Sequence, residues 1–498
     1  MNLTKIGKTF RLTLLLILMF EILSYLGWYW PAFQAIVFWI IVGLTLLIAI
    51  KQIDVALWIV LAELFIGSKG YLFQWNISEY AISIRLALFI TLFLVWFIKY
   101  VLVKRRIVFR KSKLFWWYVG FLMIYAWGII NGIINNNSSE NIFYDANGFL
   151  FFGLIFIIYE VVTNKEKINK LLQVLFASVT AIAIKTFVLL ILFAGQYSIL
   201  PELYRWVRDT RVNEVTLITH NFYRIFSQSQ IYSFLLFILV FVILFMLGKV
   251  SWNRDNWFLK ITLVLSSMSV LVSYSRSFWL SLIVTLVVIY IFFVTKYKYS
   301  IKKIFKNIFI LIALMIVEVG LVFVIINIPN WIKVGGESAS LSSLIEERLG
   351  NAEGVGLQSR WNLVGPLTRK IVHNPILGTG FGSEITYQSE DPRLVEENGG
   401  IYTTYTFEWG YLDIVLKVGI LGLIIYLLFI WNIAKYGFNT IKSLDSERKA
   451  LSLGLLFGLL ALVITHMTTP YLNHPLGICY LLICAVTFER LQNEPRDS

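Results

Sequence analysis

Long apolar runs follow one another along most of this chain and are separated by polar connections. A helix rises 1.5 Å per residue, so a run of about 20 residues crosses the roughly 30 Å hydrocarbon core of a bilayer. The pattern predicts about fourteen membrane-spanning helices, at residues 10–28, 33–50, 53–68, 81–99, 114–133, 145–162, 171–194, 230–248, 258–275, 278–295, 308–329, 410–432, 451–468 and 475–489. The runs are continuous and do not alternate, which argues against a β-barrel. The predicted fold class is therefore an all-α polytopic membrane protein.

Every second connection is rich in Lys and Arg, for example "KYVLVKRRIVFRKSK" and "TKYKYSIKKIFKN". Basic loops stay on the cytoplasmic side of a membrane. We therefore expect a multi-pass protein of the cytoplasmic membrane with both termini in the cytoplasm. Two long connections, about Gly195–Ser229 and Pro329–Trp409, then face outward. The chain divides into N-terminal spans (1–194), central spans with an Arg-rich outer loop (195–330), a large extracytoplasmic loop (331–409) and C-terminal spans (410–498).

The net charge of +14 would suggest nucleic-acid binding in a soluble protein. Here the basic residues lie mainly in short connections between spans, so the membrane orientation rule explains them and no nucleic-acid partner is expected. Cys479 and Cys484 lie five residues apart in the last apolar run. They are poor candidates for a disulfide or a metal site and are expected to be small core residues.

The large outer loop has structure of its own. In "SRWNLVGPLTRKIVHNP", Trp361, Val364, Leu367 and Ile371 recur at helical spacing, and Asn374-Pro375 ends the run. An amphipathic helix is the expected result. The following "LGTGFG" is either a flexible turn or a set of backbone N–H groups offered to a phosphate; the turn is favoured because no strand–turn–helix context surrounds it.

Arginines on the outer side are unexpected, because the orientation rule depletes them there. The segment "PELYRWVRDTRVNEVTLITHNFYRIFSQSQ" contains Arg205, Arg208, Arg211 and Arg224 and no Lys. Arg276 lies in a very short outer turn between two spans. Guanidinium groups bind phosphate in a bidentate way, so Arg224 and Arg276 could hold a pyrophosphate at the lipid headgroup level. Anchoring to anionic headgroups is the alternative for all of them.

Glu408 ends the large outer loop and stands at the start of a span. A partly desolvated carboxylate at that place could act as a general base toward a sugar hydroxyl. The alternative is an acid that stabilises the N-terminus of the helix through the helix dipole. Four charged residues inside spans, Glu63, Arg85, Lys185 and Glu318, are expected to face the bundle interior, where they line a channel or pair with one another.

Four short segments together resemble the O-antigen ligase and O-antigen polymerase superfamily of membrane glycosyltransferases. They are "RIFSQSQ" (Arg224–Gln230), "SRSFW" (Ser275–Trp279), "SRW…HNPILGTGFG" (Ser359–Gly382) and "EWGYLDIVLKVGILG" (Glu408–Gly422). The last resembles the family pattern His-Asn-x-Tyr-Leu, six residues, Gly-x-x-Gly, and places Tyr411, Leu412, Gly419 and Gly422 in register. The resemblance covers about residues 200–440. Glu408 stands where the family's ligases have histidine, which argues against ligation to lipid A.

The resemblance implies a GT-C-like helical bundle and an inverting transfer from a polyprenyl-diphosphate-linked glycan, without a required metal or other cofactor. It implies that Glu408 is the catalytic base and that Arg224 and Arg276 contact the donor diphosphate. Further candidates for donor or acceptor binding are Arg360, Arg211, Tyr411 and His373. For His373, which precedes Asn-Pro, a helix C-terminal cap is the alternative.

Three functions remain open at this stage. A polysaccharide polymerase would transfer a growing glycan from one undecaprenyl diphosphate to a repeat unit on another, with a flippase and a chain-length regulator as partners. A ligase would transfer the finished glycan to a lipid, protein or wall acceptor. A transporter or flippase of lipid-linked sugars is disfavoured because no internal repeat is visible and the candidate site lies on one face only. The Lys-, Ile- and Asn-rich composition, as in AT-rich genomes of bacteria without lipid A, and Glu408 itself favour the polymerase.

Overall fold

The computed structural model describes residues 6–77, 80–197, 199–219, 222–248, 256–332, 355–389, 392–442 and 444–493. Part of the predicted outer loop, residues 333–354, lies outside these ranges. The same holds for both chain ends (1–5 and 494–498) and for most of the basic connection at 249–255.

The described chain consists mainly of α-helices packed around one continuous apolar core. The helices are α1 Lys8–Tyr29, α2 Pro31–Lys51, α3 Ile53–Ile66, α4 Ile84–Trp96 (continued by a π-helix, Phe97–Val103), α5 Phe115–Ile134, α6 Ser139–Leu150, α7 Leu154–Val161, α8 Lys165–Ala194, α9 Leu200–Asp209, α10 Gln230–Met246, α11 Trp257–Ser273, α12 Arg276–Tyr297, α13 Ile301–Ile332, α14 Val355–His373, α15 Pro392–Asn398, α16 Gly410–Ile441, α17 Ser446–Thr465 and α18 Pro475–Asn493. Two short 3₁₀ turns, Val108–Lys111 and Phe151–Gly153, precede α5 and α7.

Three antiparallel two-stranded hairpins interrupt the helices. They are β1 Gln74–Ile77 with β2 Tyr80–Ser83, β3 Glu214–Thr219 with β4 Phe222–Phe226, and β5 Ile385–Gln388 with β6 Ile401–Thr404. All three lie in connections that the sequence places on the outer side. The β3–β4 hairpin and α9 give the predicted Arg-rich loop a structure that its sequence pattern did not indicate.

Each of the fourteen predicted spans falls on an apolar helix. Among the described residues, eleven helical segments are long and apolar enough to cross a membrane, and α10 and α11 are shorter apolar helices. The polytopic all-α fold is therefore confirmed, while the count of fourteen stays a prediction. Two predicted runs were wrong in detail. The run at 81–99 begins in strand β2, and the run at 145–162 is divided between α6 and α7 by the turn at Phe151–Gly153.

The centre of the bundle is α10, in which every residue from Gln230 to Phe245 is buried. A helix that is apolar on all sides belongs in the interior, and α17 and α18 are buried with it. In contrast, α12 and α13 expose apolar side chains such as Ile316, which is 67% exposed. Such a surface suits contact with lipid tails.

The alternation of predicted outer and inner connections is consistent with the fold. Residues from six predicted outer connections line one cavity; they are Tyr71, Tyr144, Arg211, Arg276, Phe407 and Thr469. At or next to predicted inner connections, Asp54 pairs with Lys167, Arg106 pairs with Glu160, and Ser112 donates to Glu489. The predicted outer connections therefore lie together, and the predicted inner connections lie together apart from them. Which of the two sets faces the cytoplasm stays a prediction.

Helix α16 is broken at Gly419, whose φ of 72° and ψ of 176° are not helical. The break frees backbone groups on both sides, and the loop after α14 satisfies them. Thr379 and Gly380 donate their N–H groups to the carbonyls of Leu416 and Lys417 (2.7 and 3.0 Å). Two further bonds run the other way, from Ile420 N–H to Pro375 O (2.9 Å) and from Leu421 N–H to Ile376 O (3.4 Å). Irregular backbone inside a bundle is stable when protein groups pair it in this way.

The glycine-rich turn "LGTGFG" is the part of the loop that enters the bundle. Gly378, Gly380 and Gly382 all have positive φ, and a Cβ at Gly380 would lie 2.1 Å from the backbone nitrogen of Gly132. The N–H of Phe381 donates to Gly128 O (2.9 Å) and that of Gly382 to Asp145 (2.7 Å). The N–H groups of residues 379–382 are thus bonded within the protein, which argues against the phosphate-binding interpretation. The flexible-turn interpretation was also wrong, because the turn is docked against backbone.

Helix α14 confirms the predicted amphipathic helix and its end before Asn374-Pro375. Its buried residues are Leu363 and Leu367, which pack with Ile385, Phe407 and Leu416 in a second, small core. The predicted face was partly wrong, because Trp361 is 59% exposed, although its ring lies 5.3 Å from that of Trp409.

Three of the four predicted intramembrane charges form ion pairs, and the fourth, Glu318, accepts a hydrogen bond. Glu63 and Arg85 form an ion pair (3.1 Å) in which both side chains are 4% exposed, and Arg85 also donates to Ser68 O (2.6 Å). Lys185 pairs with Glu21 (2.6 Å), and Glu318 accepts a hydrogen bond from Ser267. Pairing within the bundle removes most of the cost of placing these charges at membrane depth.

We predict that Gly419→Ala destabilises the protein. The new Cβ would lie 2.0 Å from Ile376 O, in a backbone conformation that costs about 1–3 kcal/mol for a residue with a side chain. The midpoint of thermal unfolding in detergent, followed by tryptophan fluorescence, should fall by several degrees. Gly43→Ala in α2 is the control, because no atom lies within 4 Å of its Cβ position. Equal midpoints for the two variants would show that the docked loop is not required.

Candidate functional site

A cavity of about 1230 Å³ opens where the predicted outer connections meet. This volume exceeds the range of about 300–1,000 Å³ that is usual for small-molecule sites, which suits a larger ligand. Its lining holds more positive than negative side chains, seven Lys or Arg against four Asp or Glu. These are Lys69, Arg85, Arg211, Arg224, Arg276, Arg360 and Lys417 against Asp145, Glu214, Glu408 and Asp413. The net positive lining favours an anionic ligand.

Local structure brings Arg224 and Arg276 to the same wall. Arg224 lies on strand β4 opposite Thr216, and its Nε donates to the carbonyl of Ser273 (3.0 Å), at the end of α11. Tyr274 follows in a left-handed conformation (φ 51°) and turns the chain directly into α12, whose first residue is Arg276. Arg224 is thus hydrogen-bonded to the chain only three residues before Arg276. The sequence prediction that the two meet at one pocket is consistent with this geometry.

Arg360 joins them from the large loop. It lies on α14, and its carbonyl accepts a hydrogen bond from Trp409 Nε1 (3.0 Å), which fixes α14 beside the start of α16. Burial lowers the pKa of Arg360, and the charges of Arg224 and Arg276 lower it further. Burial also lowers the pKa of Arg224, against the opposing effect of Glu214. Guanidinium groups stay protonated in proteins, so an anion bound among the three would relieve their repulsion.

Glu408 lines the same cavity and forms an ion pair with Arg360. Its side chain is 51% exposed, so the expected desolvation is not present. The neighbouring guanidinium favours the ionised carboxylate, which is the form that a general base requires. It does not interact with the helix as an N-cap, because that position belongs to Trp409, whose side chain makes no cap.

A buried charge network forms another wall. Lys417 Nζ lies 2.7 Å from Asp145 Oδ1 and 2.6 Å from Asp413 Oδ1, and Asn473 donates to the second oxygen of Asp413 (2.6 Å). The ammonium group also lies 5.5 Å from the centre of the Phe407 ring, next to Glu408. Three separate segments, α6, α16 and the turn before α18, are therefore fixed to one another at this cavity.

The structure does not bring every candidate to the cavity. The Tyr411 hydroxyl donates to Val463 O (2.8 Å) and its ring packs edge-on against His466 (4.8 Å), outside the lining. His373 ends α14 in an exposed position that is also outside the lining. Arg211 does line the cavity, with its guanidinium 4.9 Å from the centre of the Tyr71 ring. Tyr411 therefore has packing contacts in this structure, and its binding role stays a prediction.

Two histidines near the cavity are weak bases. Burial lowers the pKa of His474 to about 3, and the charges of Arg85 and Lys69 act in the same direction. Burial also lowers the pKa of His466 to about 3, and its Nδ1 accepts from the N–H of Leu472 (3.1 Å). Both imidazoles are neutral at physiological pH, and such a low pKa makes them poor acceptors of a hydroxyl proton. Glu408 is the better placed base.

Residues 261–427 match the family model for O-antigen ligase. The resemblance to the O-antigen ligase and polymerase superfamily is confirmed over this region. This ligase-type region runs from α11 to the first half of α16 and contributes Arg276, Arg360, Glu408, Asp413 and Lys417 to the cavity. No curated protein matches the chain at a significant level. The match supports a membrane enzyme of the O-antigen ligase or polymerase type.

Sequence reasoning missed the network of Asp145, Asp413 and Lys417. The spacing of Asp413 and Lys417, four residues apart at the start of an apolar run, is a signal for a paired charge on one helix face. Asp145 gave no such signal, because its partner lies 272 residues away along the chain.

We predict that Lys417→Met destabilises the protein by about 3–5 kcal/mol, because it leaves two carboxylates buried without their cation. The free energy of unfolding or the thermal midpoint in detergent measures the effect. Lys417→Met combined with Asp145→Asn and Asp413→Asn should recover part of the loss. Lys170→Met, which breaks an exposed pair with Glu166, is the control and should have little effect. A triple variant as unstable as Lys417→Met alone would contradict the charge argument.

Proposed function

We propose that the protein is a polysaccharide polymerase of the bacterial cell envelope. It transfers a glycan from one polyprenyl diphosphate to a sugar hydroxyl of a second lipid-linked repeat unit, at the outer face of the cytoplasmic membrane. The observation that carries the proposal is that Arg224, Arg276, Arg360 and Glu408 line one cavity. The ligase-type match over residues 261–427 supports this class of chemistry.

The proposed roles follow from charge and position. Arg224 and Arg276 bind the donor diphosphate. As the bond between the anomeric carbon and the diphosphate oxygen breaks, the electron pair stays on that oxygen, and the guanidiniums neutralise the developing charge. The acceptor hydroxyl oxygen attacks the anomeric carbon from the opposite side, with inversion, and its proton passes to Glu408. Arginines rather than a metal ion would neutralise the leaving group.

Arg360 has two roles in this scheme. Its ion pair with Glu408 orients the carboxylate, and its proximity to Arg224 and Arg276 places it beside the leaving group. One guanidinium would thus connect the base to the diphosphate site. A flippase and a chain-length regulator are proposed partners, since a polymerase needs a supply of outward-facing repeat units and a means to end growth.

A ligase is the second candidate, because the matching family model is that of O-antigen ligase. Its chemistry at the anomeric carbon is the same and only the acceptor differs. The purified protein with a synthetic diphosphate-linked repeat unit distinguishes the two. A ladder of products supports the polymerase, whereas transfer that occurs only when a separate acceptor is added supports the ligase. No transfer under either condition would oppose both.

We predict that Arg276→Ala abolishes polymer while lipid-linked repeat units still reach the outer leaflet, because only charge neutralisation is lost. A loss of about 10²–10³-fold in turnover is typical for one such group. Arg276→Lys should retain part of the activity, since it keeps the charge but not the bidentate geometry. Polymer length on gels and surface labelling of repeat units are the measurements.

Arg205→Ala is the matched control for Arg276→Ala, because Arg205 is an exposed arginine of α9 outside the cavity lining. It should leave polymer unchanged. If Arg276→Ala stopped the appearance of repeat units on the outer leaflet, the transporter hypothesis would replace the transferase.

We predict that Glu408→Gln lowers turnover by about 10²–10⁴-fold, the contribution usual for a general base. Glu408→His should keep measurable turnover with a changed pH profile. A base must be deprotonated to act, so activity falls as the pH falls through its pKa. Since free histidine titrates about 2 pH units above glutamate, the acidic limb of the profile should move upward by about that amount. If the acidic limb of the pH profile did not move, Glu408 would have a structural role and would not accept the proton.

A further inference from the structure

A second, smaller cavity of about 420 Å³ adjoins the main one. Its lining comprises Tyr71, Gln74, Ala81, Tyr144, Arg208, Asp209 and Arg211. Three of these residues, Tyr71, Tyr144 and Arg211, also line the main cavity. One ligand can therefore occupy both spaces.

The lining of the second cavity contains two guanidinium groups and one carboxylate, which leaves a net positive charge. Within the part of the chain that the structure describes, neither Arg208 nor Arg211 forms an ion pair. Asp209, the acidic residue of this lining, instead accepts a hydrogen bond from Trp28 Nε1 (2.8 Å). Two arginines without a carboxylate partner suit bidentate recognition of an anionic group on a ligand.

Aromatic rings accompany the charges. The guanidinium of Arg211 lies over the Tyr71 ring, and the ring of Tyr144 stacks on that of Tyr405 at 6.2 Å. Tyr405 lines the main cavity, so the stacked pair stands between the two spaces. Ring faces suit the C–H faces of a sugar, and Gln74 can hydrogen-bond its hydroxyls. The combination of rings, amide and guanidinium groups favours a carbohydrate over a simple ion.

The distance to the proposed diphosphate site suits a glycan. Arg211 precedes Thr216 by five residues, and Thr216 pairs with Arg224 across the β3–β4 hairpin. Five extended residues cover at most about 18 Å. One oligosaccharide of a few units can therefore reach from Arg211 to a diphosphate at Arg224.

We propose that the cavity at Arg208 and Arg211 is a subsite for an acidic sugar of the repeat unit, one that carries a carboxylate. The proposal rests on the transferase function proposed above, and it adds that the natural glycan is anionic. Arg208 and Arg211 hold the carboxylate, while Tyr71 and Tyr144 hold the ring.

The test is a binding measurement that needs no turnover. The purified full chain in detergent is titrated with a disaccharide that contains glucuronic acid and with its glucose counterpart. Neither probe carries lipid or phosphate. We expect the acidic disaccharide to bind at least about tenfold more tightly. Arg208→Gln combined with Arg211→Gln should bring the two affinities to within about twofold, and Arg205→Gln on the same helix should keep the wild-type preference.

Each other result decides against the subsite. Equal affinities of the wild-type protein for the two probes would show that the arginines are only solvated. An acidic preference that survives the double variant, and is lost in Arg224→Ala, would move the anion to the diphosphate site. An unchanged thermal midpoint of the double variant shows that it is folded. Because binding is read without transfer, failure of the subsite and failure of the transferase proposal remain separate.

Discussion

The arrangement of the cavity depends on one exchange of backbone hydrogen bonds. Helix α16 is interrupted at Gly419, and the groups that it loses are restored by the loop that follows α14. Backbone groups that are buried inside a bundle have to be paired by protein, so the break and the loop require one another. The exchange fixes the large outer loop to the membrane-spanning part. Arg360 and Glu408 enter the cavity on that loop, and Lys417 stands beside the break.

The charged side chains that line the cavity fall into two groups. One side carries Arg224, Arg276 and Arg360, where burial and the charges of the first two lower the pKa of the third, and another side carries Lys417 between Asp145 and Asp413. The first group is open to a ligand, whereas the second is satisfied internally and buried. On this difference we propose a binding role for the first group and a structural role for the second. Glu408 is paired to Arg360 and is half exposed in the same cavity.

Hydrophobic periodicity was sufficient for the membrane helices because length and apolar content are local properties of a sequence. The same holds for α14, whose end at Asn374-Pro375 is a local signal. That Arg224 and Arg276 line one pocket could also be predicted from the sequence, since both stand at the outer ends of spans. The docking of the turn at Gly378–Gly382 could not be predicted, because its partners Gly128, Leu416 and Lys417 are distant in sequence. The position of Tyr411 outside the cavity lining was not accessible either, because register within a motif does not give the direction of a side chain.

The docked turn also limits how this protein can exchange ligands. Swinging the loop outward would expose four backbone hydrogen bonds of α16, at positions 416, 417, 420 and 421, together with the bond between Gly382 and Asp145. The docked turn is therefore fixed to the bundle by these bonds. In the transferase proposed above, a long product would then leave along the cavity, by translation of the glycan through a rigid frame.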